Sequence, residues 1–115
     1  MKLRTKQFAL RVIKLFECLP RDVTSSVLGR QLLRAATSVG ANYRAACRSK
    51  SAADFIAKMG TVEEEADESG YWMELLVDSG KVKLEKISAL MQEAGELTAI
   101  AVASINTARK SATRR

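Results

Sequence analysis

A chain of 115 residues with 47% hydrophobic and 28% charged side chains is long enough for one buried core and too apolar for intrinsic disorder. It contains no histidine, so most acid–base, nucleophilic and metal chemistries lose their commonest participant. The net charge of +6 is segregated along the chain, at +9 over residues 1–50, −7 over 51–80 and +4 over 81–115.

Phe8, Val12, Leu15, Phe16 and Leu19 fall on one stripe of a first helix, which Pro20 is expected to stop at about Leu19. Leu3 and Leu10 lie on the far side of that helix among Lys6, Lys14 and Glu17, a second apolar lane that suggests contact with another subunit. A second helix is expected from about Thr24, with Leu28, Leu32, Ala35, Val39, Asn42 and Ala46 spaced 4, 3, 4, 3, 4 as a bundle seam. Gly40 within it points to close approach of a neighbouring helix, and Asn42 in the seam calls for a polar partner.

Ser51 followed by Asp54 resembles a capping box at the start of a third helix. Its seam is Phe55, Met59, Val62, Ala66, Ser69, Met73 and Leu76, and Gly80 supplies a left-handed stop. A fourth helix from about Leu84 carries Ile87, Leu90, Ala94, Leu97, Ala101, Ile105 and Ala108. The pattern predicts an all-α, antiparallel up-down-up-down four-helix bundle over residues 1–108, followed by a basic, frayed tail at 109–115.

No apolar run approaches the roughly 20 residues of a membrane span, and Met1-Lys2-Leu3-Arg4-Thr5-Lys6 returns to charge too often for a signal peptide. A cytoplasmic protein without membrane contact is expected. Cys18 and Cys47, near the ends of antiparallel helices, are too far apart to bridge and read as small buried apolar groups.

The acidic run Glu63-Glu64-Glu65-Ala66-Asp67-Glu68 lacks the Glu-x-x-His pairs of a di-iron bundle, so no metal is expected. Glu64 and Glu68 are instead expected to pair with Arg34 or Arg44 of the second helix, with a simply solvated acidic face as the alternative reading. Trp72 reads as a core or subunit-interface anchor, although Trp72, Tyr71 and Tyr43 are also the types that stack on bases. Arg30, Arg34, Arg44, Arg48 and Lys50 string along the second helix and its exit, and Lys2, Arg4, Lys6, Arg11 and Lys14 along the first. Such a field attracts phosphate backbones without reading sequence, and an ordinary solvated basic face accounts for the same residues. There is no phosphate-binding glycine loop and no nucleophile–base pair, so neither an enzyme nor a cofactor is expected.

The block Gln31-Leu32-Leu33-Arg34-Ala35-Ala36-Thr37-Ser38-Val39-Gly40-Ala41-Asn42 resembles the bacterial four-helix bundle family of the 23S ribosomal RNA intervening-sequence proteins. Leu19-Pro20, Asp54-Phe55, Glu64-Glu65-Ala66-Asp67-Glu68 and Tyr71-Trp72-Met73-Glu74-Leu75-Leu76 extend the likeness over nearly the whole chain. The family is related to the accessory variability protein of diversity-generating retroelements. The resemblance implies a ring-shaped homopentamer that binds RNA or DNA, with a protein scaffold, for example a partner of a reverse transcriptase, as the alternative. It also implies a structural network of Arg34 and Asn42 with Glu64 or Glu68, whose loss through Arg34→Ala is expected to unfold or dissociate the protein. One departure stands out in Asn42-Tyr43-Arg44-Ala45-Ala46, where Ala45 occupies a position often acidic in the family and Arg44 is added. That surface is expected to be more positive here.

Overall fold

In the computed structural model, which describes residues 1–113, four helices follow one another: α1 Lys2–Glu17, α2 Val23–Cys47, α3 Ala52–Asp78 and α4 Leu84–Thr113. Each boundary has a local cause. Pro20 disfavours a helical residue before it, and α1 accordingly closes at Glu17, two residues earlier than expected, with Cys18 N–H and Leu19 N–H returning to Leu15 and Phe16 carbonyls. Asp22 caps α2, its two carboxylate oxygens accepting from Ser25 N–H at 2.8 Å and from the Ser25 hydroxyl at 2.9 Å. Ser51 caps α3 by accepting from Asp54 N–H at 3.0 Å. The reciprocal half of the expected box is replaced, because the Asp54 carboxylate accepts instead from Lys58 Nζ at 2.6 Å. At the end of α3, Gly80 takes φ 77°, and Gly80 and Lys81 N–H donate to Val77 and Leu76 carbonyls in a Schellman stop.

α4 continues past Ala108 through Thr113, whose hydroxyl bonds back to Arg109 and Lys110 carbonyls. Arg114 and Arg115 lie outside the described residues. No helix among the described residues is long and apolar enough to cross a membrane.

Cross-helix pairs fix the direction of every helix. Gly29 lies against Phe16 and Leu19, and Gly40 against Thr5, so α2 runs antiparallel to α1. Asp22 reaches Lys81 and Arg34 reaches Glu65, so α3 runs antiparallel to α2, while Ala66 faces Thr98 and Phe55 faces Ala108 to reverse α4. The result is an up-down-up-down rod of 53 × 21 × 20 Å. α3 packs against both α2 and α4, whereas α1 packs mainly on α2 and meets α4 less extensively, Arg4 bonding to Glu93. At 16 residues, α1 is about 24 Å long, so the far end of the rod consists of α2, α3 and α4 alone.

The seams of α3 and α4 are buried as predicted from Met59 to Leu76 and from Ile87 to Ile105. Leu28, Asn42 and Phe55 are only half-buried, and both cysteines are exposed and free, contrary to the expectation that they were core groups. Cys18 and Cys47 sit at the ends of α1 and α2 with their side chains exposed.

A Cβ at Gly40 would stand 3.2 Å from Thr5 Oγ1 and 3.6 Å from the Thr5 carbonyl carbon, so this glycine sets how closely α1 lies on α2. A Cβ at Gly60 would meet nothing within 4 Å. Gly40→Leu is therefore expected to destabilise the fold by about 1–3 kcal/mol through overpacking. Gly60→Ala is expected to stabilise it by about 0.5–1 kcal/mol through helix propensity. Denaturant titration of the two variants separates these effects; equal shifts of the same sign would contradict the close approach at Gly40.

Candidate nucleic-acid interface

The helices sort the charge that the sequence segregates. α1 and α2 together carry eight Lys/Arg and one carboxylate, Glu17, and α2 holds no acid at all; α3 carries eight carboxylates and one lysine. The two populations meet at a single junction between α2 and α3. Arg34 Nη1 donates to Glu65 Oε2 at 3.1 Å, Arg34 Nη2 donates to Glu68 Oε1, and that oxygen also accepts from Trp72 Nε1 at 3.1 Å.

Arg34 thus pairs with Glu68 as expected, but Glu65 takes the place assigned to Glu64. At about 100° per residue Glu65 flanks the seam, while Glu64 points almost diametrically away from it and is exposed. The Arg34 side chain itself is 53% exposed against 13% for Glu65, so water screens the pair and its removal costs less than loss of a buried charge. Asn42 stands outside this network, its Nδ2 donating to the Ser38 carbonyl of its own helix at 2.9 Å. Trp72 is half-buried against the core, with Tyr71 edge-on to it at 5.2 Å and half exposed.

Arg4, expected among the free cations, is instead a clamp between α1 and α4. Its guanidinium donates to both carboxylate oxygens of Glu93 at 2.7 Å and to Glu96 at 2.8 Å. Those hydrogen bonds hold the Glu93 carboxyl below its ordinary value and raise the Arg4 guanidinium further. The i, i+3 pair Glu93 and Glu96 was the sequence signal for this contact, being the only acids in the middle of α4.

The other expected cations, Lys2, Lys6, Arg11, Lys14, Arg30, Arg44, Arg48 and Lys50, are exposed and form no ion pair among the described residues. Arg30, Arg44 and Arg48 share one lane of α2 with Thr37 and Ala41, opposite the buried seam of Leu32, Ala35, Val39 and Ala46. Lys2 and Lys6 turn toward that helix and line a groove with Arg44. Arg11 and Lys14 flank Leu10 on the outward face of α1, where Leu3 and Leu10 are 67% and 51% exposed.

A cleft missed from the sequence runs along the opposite side of the rod, between α3 and α4. Asp67, Glu74 and Tyr71 line it over Gly70 and Gly95, neither of which has a neighbour that a Cβ would touch. The two glycines were its signal, overlooked because apolar periodicity counts only side chains that pack. Among the described residues no three His, Cys, Asp or Glu side chains gather as metal ligands, the acidic run being dispersed around α3.

Residues 2–103 match the family model described as 23S rRNA-intervening sequence protein. A solved structure from Bacteroides thetaiotaomicron, described as a protein with unknown function from the S23 ribosomal protein family, is 33% identical over 90% of this chain and 96% of its own, with a TM-score of 0.84. No curated protein matches the chain.

Two consequences follow for stability. Arg34→Ala is expected to remain folded and lose about 1 kcal/mol, roughly 5 °C in a thermal melt, since the pair is largely solvated; a variant that fails to fold would contradict this. Glu93 is held below its ordinary 4.5, so its pairing stabilises the fold above that pH and is lost as pH falls through the depressed value. Arg4→Met should therefore flatten the stability profile below pH 4.5 in acid titrations followed by circular dichroism, and an unchanged acid limb would refute the clamp.

Proposed function

Because the chain belongs to the 23S rRNA-intervening sequence protein family, we propose that it is a non-enzymatic, cytoplasmic accessory protein that binds RNA or DNA as a ring-shaped homopentamer. The observation that carries this reading is the set of unneutralised cations on the α1–α2 side. Arg4 and Arg34 find carboxylates within the fold, whereas Arg30, Arg44, Arg48 and Lys50 with Lys2, Lys6, Arg11 and Lys14 face solvent. A polyanion satisfies them by displacing counterions, and contacts of this kind carry little sequence preference.

Self-association is supported by two unlike faces on opposite sides of the rod. The outward face of α1 presents Leu3 and Leu10 among Lys6, Arg11 and Lys14, and the α3–α4 cleft presents Asp67, Glu74 and an open floor. Unlike faces pair head to tail, and a head-to-tail contact that closes gives a ring. Repetition of a weak basic patch around such a ring multiplies its affinity.

A second reading, a scaffold for a protein partner such as a reverse transcriptase, is favoured by one feature. At the α1–α2 turn, Phe16, Leu19, Val23 and Val27 line an open groove of about 750 Å3, with Val23 80% exposed. Filter binding of a structured RNA across a salt series distinguishes the readings. Retention at low salt with a steep negative dependence on salt is expected, and Arg30→Ala with Arg44→Ala and Arg48→Ala should reduce the slope by about 2–3. No retention at low salt, with the oligomer intact by native mass, would reject nucleic-acid binding.

A further inference from the structure

The groove between α1 and α2, about 290 Å3 in volume, is lined by Lys2, Thr5, Lys6, Ala9, Thr37, Gly40, Ala41 and Arg44. Its ionisable lining is three cations and no carboxylate. Lys2 and Lys6 are i, i+4 neighbours, a spacing at which like charges repel on a helix. The close crossing at Gly40, where even a Cβ would crowd Thr5, brings Arg44 of α2 to the same place. None of the three has a counterion among the described residues, unlike Arg4 and Arg34 on either side of them.

The rest of the lining narrows the ligand. The Thr5 hydroxyl donates to Met1 and Lys2 carbonyls, and the Thr37 hydroxyl to Leu33 and Arg34 carbonyls, so neither proton is free for a guest. No aromatic ring and no amide or carboxylate side chain borders the groove, which leaves nothing to stack on a base or to read its edge. What remains is three concentrated positive charges on a narrow, largely uncharged floor, and that suits a phosphate group.

We infer that Lys2, Lys6 and Arg44 form a phosphate seat at the α1–α2 crossing, which anchors the phosphodiester backbone of a bound strand. The seat follows from the groove alone; its occupant rests on the nucleic-acid reading above. The arginine lane of α2 leads from this point toward Arg48 in one direction and Arg30 in the other, so a strand seated here lies along the helix.

The test uses the full chain and two probes, inorganic pyrophosphate and an unstructured RNA decamer, measured by calorimetry on the parent protein and on a Lys6→Gln, Arg44→Gln double variant. Lys86→Ala on α4 serves as a charge control, and an unchanged melt confirms folding. If the double variant melts early, Lys6→Arg with Arg44→Lys, which keeps the charges, should bind both probes like the parent. The expected result is about a tenfold or greater loss for both probes in the double variant, with the RNA salt slope reduced by about 1.5–2 and the control unchanged. RNA binding with parental affinity and slope in the double variant would overturn the seat and leave nucleic-acid binding standing. Pyrophosphate binding that depends on Lys6 and Arg44, without RNA binding, would support the seat and overturn its proposed occupant. Binding of neither probe to the parent would overturn both.

Discussion

The bundle depends on burial of one edge of α3. Met59, Val62, Ala66, Ser69, Met73 and Leu76 are closed off by α2 on one side and α4 on the other, and every one of them is inaccessible to water. Two of the six, Ala66 and Ser69, are small, and the buried seam of α2 includes Ala35, Ala36 and Ala46. Apolar burial holds α2 against α3, and Arg34 reaches across the outer rim to Glu65 and Glu68. The ion pairs are therefore a consequence of the packing and trim a structure that apolar burial has already set.

Charge is placed with the opposite economy. α2 contributes no acid and α3 almost no base, yet one arginine suffices at their junction. A second, Arg4, holds the short α1 against α4. The other cations of α1 and α2 are exposed, Arg11 still acting on Glu93 through space, while Asp67 and Glu74 border the α3–α4 cleft. The fold keeps the two signs apart because the helices that bear them contribute their apolar edges to the same core, which turns their charged backs outward in different directions.

The four helices, the α3 and α4 seams, the Gly80 stop and the tight approach at Gly40 were legible in the sequence, because each depends on spacing or backbone conformation within one segment. The partner of Arg34 was legible only in part. Periodicity gives the angle of a residue on its own helix, and it places Glu65 and Glu68 nearer the α2 side than Glu64, but it says nothing of the height at which two helices meet. Arg4 and Glu93 are 89 positions apart, so their contact required knowing that α1 is short and lies beside the middle of α4. Asn42 and the cysteines were misplaced for a related reason. Asn42 lies half-buried at the edge of the α2 seam, and its amide turns back to the Ser38 carbonyl; Cys47 sits beyond the end of that seam.

If the acid-free back of α2 is what meets a polyanion, contacts should map to that surface and to no other. The most direct measurement is ultraviolet cross-linking of the full chain to a structured RNA, with the attached peptides identified by mass spectrometry. Adducts concentrated on residues 30–50 and the first turns of α1 are expected. Adducts confined to α3 and α4, or spread evenly over the rod, would contradict the assignment of the charged face.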